Sequence, residues 1–139
     1  MTTRELVHHT KVTNVLDAAA YTSTQTSSAI DTQGWESLAV AFVVGVWTSG
    51  TFTPKLTECA TSGGTYTDVD VTQVEWWING VAQGAVVPVV SSAATDQVVI
   101  VAGYSLGTKR FVKAVATGAT TPSAILGMVA IQSHPRESI

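Results

Sequence analysis

The segment WESLAVAFVVGV, residues 35–46, constrains the fold more than any other stretch. Read with the two-residue period of a strand, it puts Leu38, Val40, Phe42 and Val44 on one face. Ala39, Ala41 and Val43 fall on the other, so both faces are apolar. A strand of this kind needs cover on two sides, as in the middle of a sandwich or beneath a subunit contact. It overlaps the longest apolar run of the chain, residues 38–47, whose ten residues are too few to cross a bilayer as a helix.

The neighbouring segments carry the same signature. Residues 21–30, YTSTQTSSAI, are Thr-rich and polar in alternation, as an edge strand is, and DTQG (31–34) closes them with a turn. TSGTF (48–52) reads as a turn into the short strand TPKLTEC (53–59), where Pro54 is tolerated near the start. Gly63-Gly64 marks a hairpin into residues 66–71, and Asn79-Gly80 a turn within the irregular stretch 74–85. Four more strands follow at 86–90, 96–104, 109–117 and 123–132. About eight short strands at this spacing, with no helical period, predict an all-β fold. The expected architecture is an antiparallel β-sandwich, jelly-roll or Ig-like, over residues 21–133. Residues 1–20 show little period and read as an N-terminal arm with at most a short helical turn; residues 134–139 form a C-terminal tail.

Composition narrows the function classes. The 139 residues predict one domain, and only 12% of them are charged against 45% hydrophobic. A net charge of −3 argues against nucleic acid as a partner, since phosphate binding rests on a cationic surface. Cys59, the single cysteine, cannot form an internal disulfide. MTTRELVHHTKV lacks the apolar core of a signal peptide, so a soluble product of the cytoplasm is expected, with no membrane partner.

No motif points to catalysis. GYSLGTK (103–109) has its glycines one residue too close for a phosphate loop, and Thr108 precedes the lysine instead of following it. His8 and His9 are adjacent, pointing to opposite faces of a strand, and His134 lies in the tail. Asp68 and Asp70 share a face, with Glu58 a candidate neighbour, but no further ligand converges on them. There is no G-x-S-x-G elbow. The expectation is therefore no enzyme, no catalytic or metal site and no cofactor. In KRFVKAVAT, Arg110 starts one face and Lys109 and Lys113 belong to the other, so these cations are candidate rim charges and do not converge on one anion. Arg110 begins an otherwise apolar face and is expected to pair with a carboxylate.

Contacts with another molecule are expected from the arm residues Leu6, Val12 and Val15, from Trp76 and Trp77, and from His134, Pro135 and Arg136. Tryptophan is enriched as an interface anchor, and aromatics beside Glu75 and Asn79 also suit sugar stacking. Trp76 and Trp77 point to opposite faces of a strand, so one packs inward and one is free to dock. A glycan-binding fibre or host-adhesion module is thus an alternative to a protein-binding one.

The order of segments resembles a family of small tailed-bacteriophage virion proteins, the capsid decoration (cement) proteins. SAIDTQGWES (28–37), FTPKLTE (52–58), GTKRFV (107–112) and HPR (134–136) match its recurring motifs in order, over residues 15–136. CATSGG after Glu58 departs from the family's acidic S-D-D-G hairpin, and VEWWINGVAQG has no counterpart in it. The resemblance implies a β-sandwich, a homotrimer, and attachment to the outer capsid surface, where it stabilises the shell by bridging major capsid protein subunits. A head-completion or tail component of such a virion is the related alternative.

Overall fold

The computed structural model describes residues 9–92, 98–105 and 109–135, with residues 134 and 135 described by backbone alone. Two strands of 25 residues each, β4 (Trp35–Cys59) and β9 (Phe111–Pro135), organise everything else. Seven shorter strands complete an antiparallel sheet: β1 (Thr10–Tyr21), β2 (Gln25–Thr26), β3 (Ile30–Asp31), β5 (Thr67–Asp68), β6 (Val74–Ile78), β7 (Val81–Gly84) and β8 (Val99–Tyr104). One 3₁₀ turn, Val71–Gln73, precedes β6, with Asp70 capping it through a bond from the Thr72 amide. The all-β, sandwich-like expectation holds, with nine strands where about eight were expected.

The sheet becomes a sandwich by folding over across its two long strands. Residues 35–44 of β4 pair with 126–135 of β9, and residues 51–59 pair with 111–119. Between these blocks the register slips three times. Gly50, Thr120 and Thr121 all adopt positive φ there (66°, 58° and 54°), the backbone signature of a corner. The strand ends then meet. Tyr104, opposite Leu38 at the start of β4, donates its hydroxyl hydrogen to Glu58 at the other end of β4 (2.9 Å). Asp31, paired with Phe111, accepts from Gln132 Nε2 (2.9 Å), which closes the two ends of β9 in the same way.

The first layer therefore runs β1, the C-terminal half of β9, the N-terminal half of β4, β8, β6 and β7. The second runs β2 and β3, the N-terminal half of β9, the C-terminal half of β4, and β5. Phe42, Val44, Ile100 and Leu126 from the first layer meet Phe52, Pro54, Val90 and Ala116 from the second around one small apolar gap. Val40, Ile100, Met128, Val112 and Phe52 are the largest side chains fully enclosed by this core.

Four local expectations are corrected. Residues 86–90 form no strand; Val90 alone makes an isolated bridge, to Phe52. TSGTF is a bulged corner inside β4 and does not end a strand. Residues 109–117 and 123–132 belong to one strand, β9. From Thr10 onward the segment read as an arm is an edge strand on β9, bulged between Asn14 and Leu16 and again between Leu16 and Ala19, with no helical turn. Those bulges shift the inward–outward parity, which is why its apolar residues show no period in the sequence.

Candidate functional site: an uncovered apolar sheet face

The side of the first layer turned away from the core follows directly from strand register. Ala39 lies between Ile131 of β9 and Gly103 of β8, Ala41 between Val129 and Val101, and Val43 between Gly127 and Val99. Leu38, Val40, Phe42 and Val44, the alternate positions of β4, are in the core. Across β9, β4 and β8 these outward positions carry no charged side chain. Ala41 is only 6% exposed although it is outside the core cluster. Its larger neighbours on the same outer face stand above it. Val43 and Ile125, by contrast, are each 42% exposed.

The face has relief. Ala39 and Ala41 form a low trough between two ridges. Ile131 and Val129 make one ridge; Val101 and the half-buried Trp77 make the other. Trp77 leans across β8, so that a Cβ at Gly103 would be 2.8 Å from its Cζ3 atom. Glycine is required there because the indole occupies the side-chain space. At one end a row of hydroxyls borders the patch: Ser37 and Ser133 Oγ atoms lie 2.6 Å apart, and Thr10 is paired with Ser133. Thr10 Oγ1 is buried with no hydrogen-bond partner. Glu75, opposite Gly103, supplies a charge on the far margin.

The residues expected to make contacts separate sharply. Val12, opposite Ile131 on the edge strand, is 65% exposed and extends the apolar face. Val15 is buried in the core, and so is Trp76, whose ring lies 6.3 Å from that of Phe42. Both are withdrawn from the contact set, because β6 turns Val74 and Trp76 inward and the β1 bulge turns Val15 inward. Trp77 remains on the outer face. Leu6 and Arg136, and the side chains of His134 and Pro135, lie outside the described residues. Gly103, Val99, Val101, Val129 and Ile131 were not expected as contact residues. The signal was present in VVIVAGY and AILGMVAI, which are apolar at both parities, as LAVAFVV is.

Most of the charged candidates are engaged locally. Arg110 binds Asp31 with two hydrogen bonds, Nε to Oδ1 (2.8 Å) and Nη2 to Oδ2 (2.7 Å). Lys113 Nζ lies 4.5 Å from the centre of the Tyr66 ring, and Lys109 is exposed. Asp68 pairs with Lys55 (2.9 Å), Asp70 caps the 3₁₀ turn, and Glu58 accepts from Tyr104. Among the described residues no group of three or more His, Cys, Asp or Glu side chains could hold a metal ion. No helix among them is long and apolar enough to cross a membrane.

The Arg110 hydrogen bonds, with help from the Gln33 amide, hold the Asp31 carboxyl below its ordinary range. A depressed carboxylate pKa stabilises the fold above the unfolded value, about 3.9, and the benefit disappears as pH falls through the folded value. Both side chains are nearly half exposed, so solvent screening keeps the contribution small. Asp31→Asn should be slightly less stable than the parent at pH 7. That gap should close in urea titrations carried down through pH 4 toward pH 2. A gap that widens on acidification would show that Asp31 acts through something other than its charge.

The fold has a solved counterpart. The SPBc2 prophage-derived protein YomS superposes with a TM-score of 0.52 at 10% identity, covering 90% of this chain and 95% of that one. More distant likenesses are latent PorU of Porphyromonas gingivalis (TM-score 0.41, 8% identity, 91% of this chain and 13% of that one) and a family 35 carbohydrate-binding module of Clostridium thermocellum (0.27, 13%, 89% and 99%). Neither of these two is close enough to bear on fold or function. No family model and no curated protein matches the chain. What YomS shares with this chain is the two-layer β fold.

Proposed function

We propose that the chain is a structural protein of a bacteriophage virion that sits on the outer capsid surface and stabilises the shell by bridging major capsid protein subunits. The observation that carries this reading is the uncharged outer face of the first layer, continuous with Val12 on the edge strand. Contiguous apolar surface of this kind marks a surface that another protein covers. A clamp of this sort needs cover for broad apolar faces and no reacting group. The prophage origin of YomS and the ordered decoration-protein motifs supply the viral context. The glycan alternative is weakened by Trp76 and Trp77 facing opposite sides of β6, which prevents a paired stacking platform.

Purified chain added to capsids that lack it should co-sediment with them in hundreds of copies, whereas a completion or tail component would bind in a ring of few. Because little of the contact is ionic, binding should weaken less than about threefold between 0.1 and 1 M salt. Absence of co-sedimentation would overturn the reading. Repetition around the shell would turn modest single contacts into firm attachment.

A further inference from the structure

We propose that the partner covering the outer face of the first layer is a second copy of this chain, stacked face to face about a two-fold axis lying in the contact plane. This rests on the reading above only in taking the face as an assembly surface: the face joins two copies, and the pair would meet the capsid through its remaining surfaces. Size is the first reason. Four strands (β9, β4, β8, β6) at about 4.8 Å spacing, and nine residues along β9 at about 3.4 Å each, give roughly 500 Å² of planar area per copy. Two such faces reach the floor of about 1,000 Å² for a specific interface, before side-chain relief is counted.

Chemistry is the second reason. Across its three central strands the face has no charge, and Glu75 of β6 lies at its margin, so it offers little that a charged partner could match. Shape is the third. The trough of Ala39 and Ala41 in one copy can receive the ridge of Ile131 and Val129 in the other. A two-fold axis makes the same fit twice, as an isologous contact does. The sheet edges are poor alternatives. β1 is interrupted by two bulges and carries Lys11 and Asp17; β7 has four residues and ends at Gly84. The homotrimer implied by the family resemblance is the competing arrangement.

Light scattering coupled to size exclusion, on the full chain at about 100 µM, tests this directly. The parent should run at twice the chain mass. Val43→Glu and Val99→Glu, both at exposed outer-face positions, should each weaken association at least about a hundredfold, since a two-fold contact buries the new charge twice. Circular dichroism should keep the parental spectrum, and the thermal midpoint should fall no further than that of the parent diluted to monomer, which separates lost association from lost folding. A monomeric or trimeric parent would overturn the proposal, as would a dimer that survives both substitutions. Co-sedimentation with bare capsids keeps the two ideas apart. A monomer that binds capsids would remove the dimer and leave the virion reading; a dimer that ignores them would do the reverse.

Discussion

Phe52→Ala is expected to lower the free energy of unfolding by about 3–5 kcal/mol. Phe52 is the largest fully buried side chain, and it comes from the second layer to touch the first. Its backbone is fixed as well, exchanging both hydrogen bonds with Val90 at 2.9 Å. The ring therefore cannot be replaced by a shift of its own strand. Phe42, Val44, Ile100 and Leu126 already leave a small gap beside it, and truncation would enlarge that gap into a cavity. Cavity cost adds to the lost transfer energy of the ring when the surroundings cannot collapse. Urea denaturation followed by tryptophan fluorescence reads the effect, and a melting midpoint lower by roughly 10–20 °C should accompany it. Val86→Ala, at an exposed position outside the apolar sheet face, is the control and should cost less than about 1 kcal/mol. Equal costs at the two positions would mean that the layers are not held together through Phe52.

Gly50→Ala is expected to cost about 3 kcal/mol or more, from left-handed backbone strain plus steric conflict. The residue has φ of 66°, where a Cβ costs about 1–2 kcal/mol before any neighbour is met. The neighbours then add to it. A Cβ would be 2.6 Å from Thr120 O, 2.7 Å from Ala119 O and 2.7 Å from Pro122 Cα. All three are backbone atoms of β9, so no side chain can swing aside. Gly34 supplies the comparison, since it has φ of 89° and nothing within 4 Å of its virtual Cβ. Gly34→Ala should pay only for the backbone conformation, about 1–2 kcal/mol. If the two substitutions cost the same in equilibrium unfolding, close packing at the corner contributes nothing.

The alternation of apolar residues made the class of fold legible, and the two-sided apolarity of residues 38–44 announced a strand that must be covered twice. Continuity of the long strands was not legible. A turn and a bulged corner use the same residues, glycine with Thr and Ser, so TSGTF looks identical in either role. Only pairing with residues 118–124 shows that the chain bends there without leaving the sheet. Parity separated Trp76 from Trp77 but could not say which would be buried, because that depends on which face of β6 meets Phe42. The acid partner of Arg110 is 79 residues away and reaches it through a two-residue strand, a distance no local pattern records. The outer face spans three strands far apart in the chain, so its continuity exists only after register is set.

The position of β9 also governs the order in which the molecule can be made. It pairs with β1, β2, β3 and with both halves of β4, yet it is the last strand of the described chain. During synthesis β4 is complete at Cys59, and β9 begins to pair with it only at Phe111, so until then β4 holds two apolar faces without a partner on one side. Pairings of such high sequence separation are slow to close, and open edges invite neighbouring chains in the meantime. Yield in a host cell should therefore hinge on chaperone capacity during that interval more than on the stability of the finished sandwich.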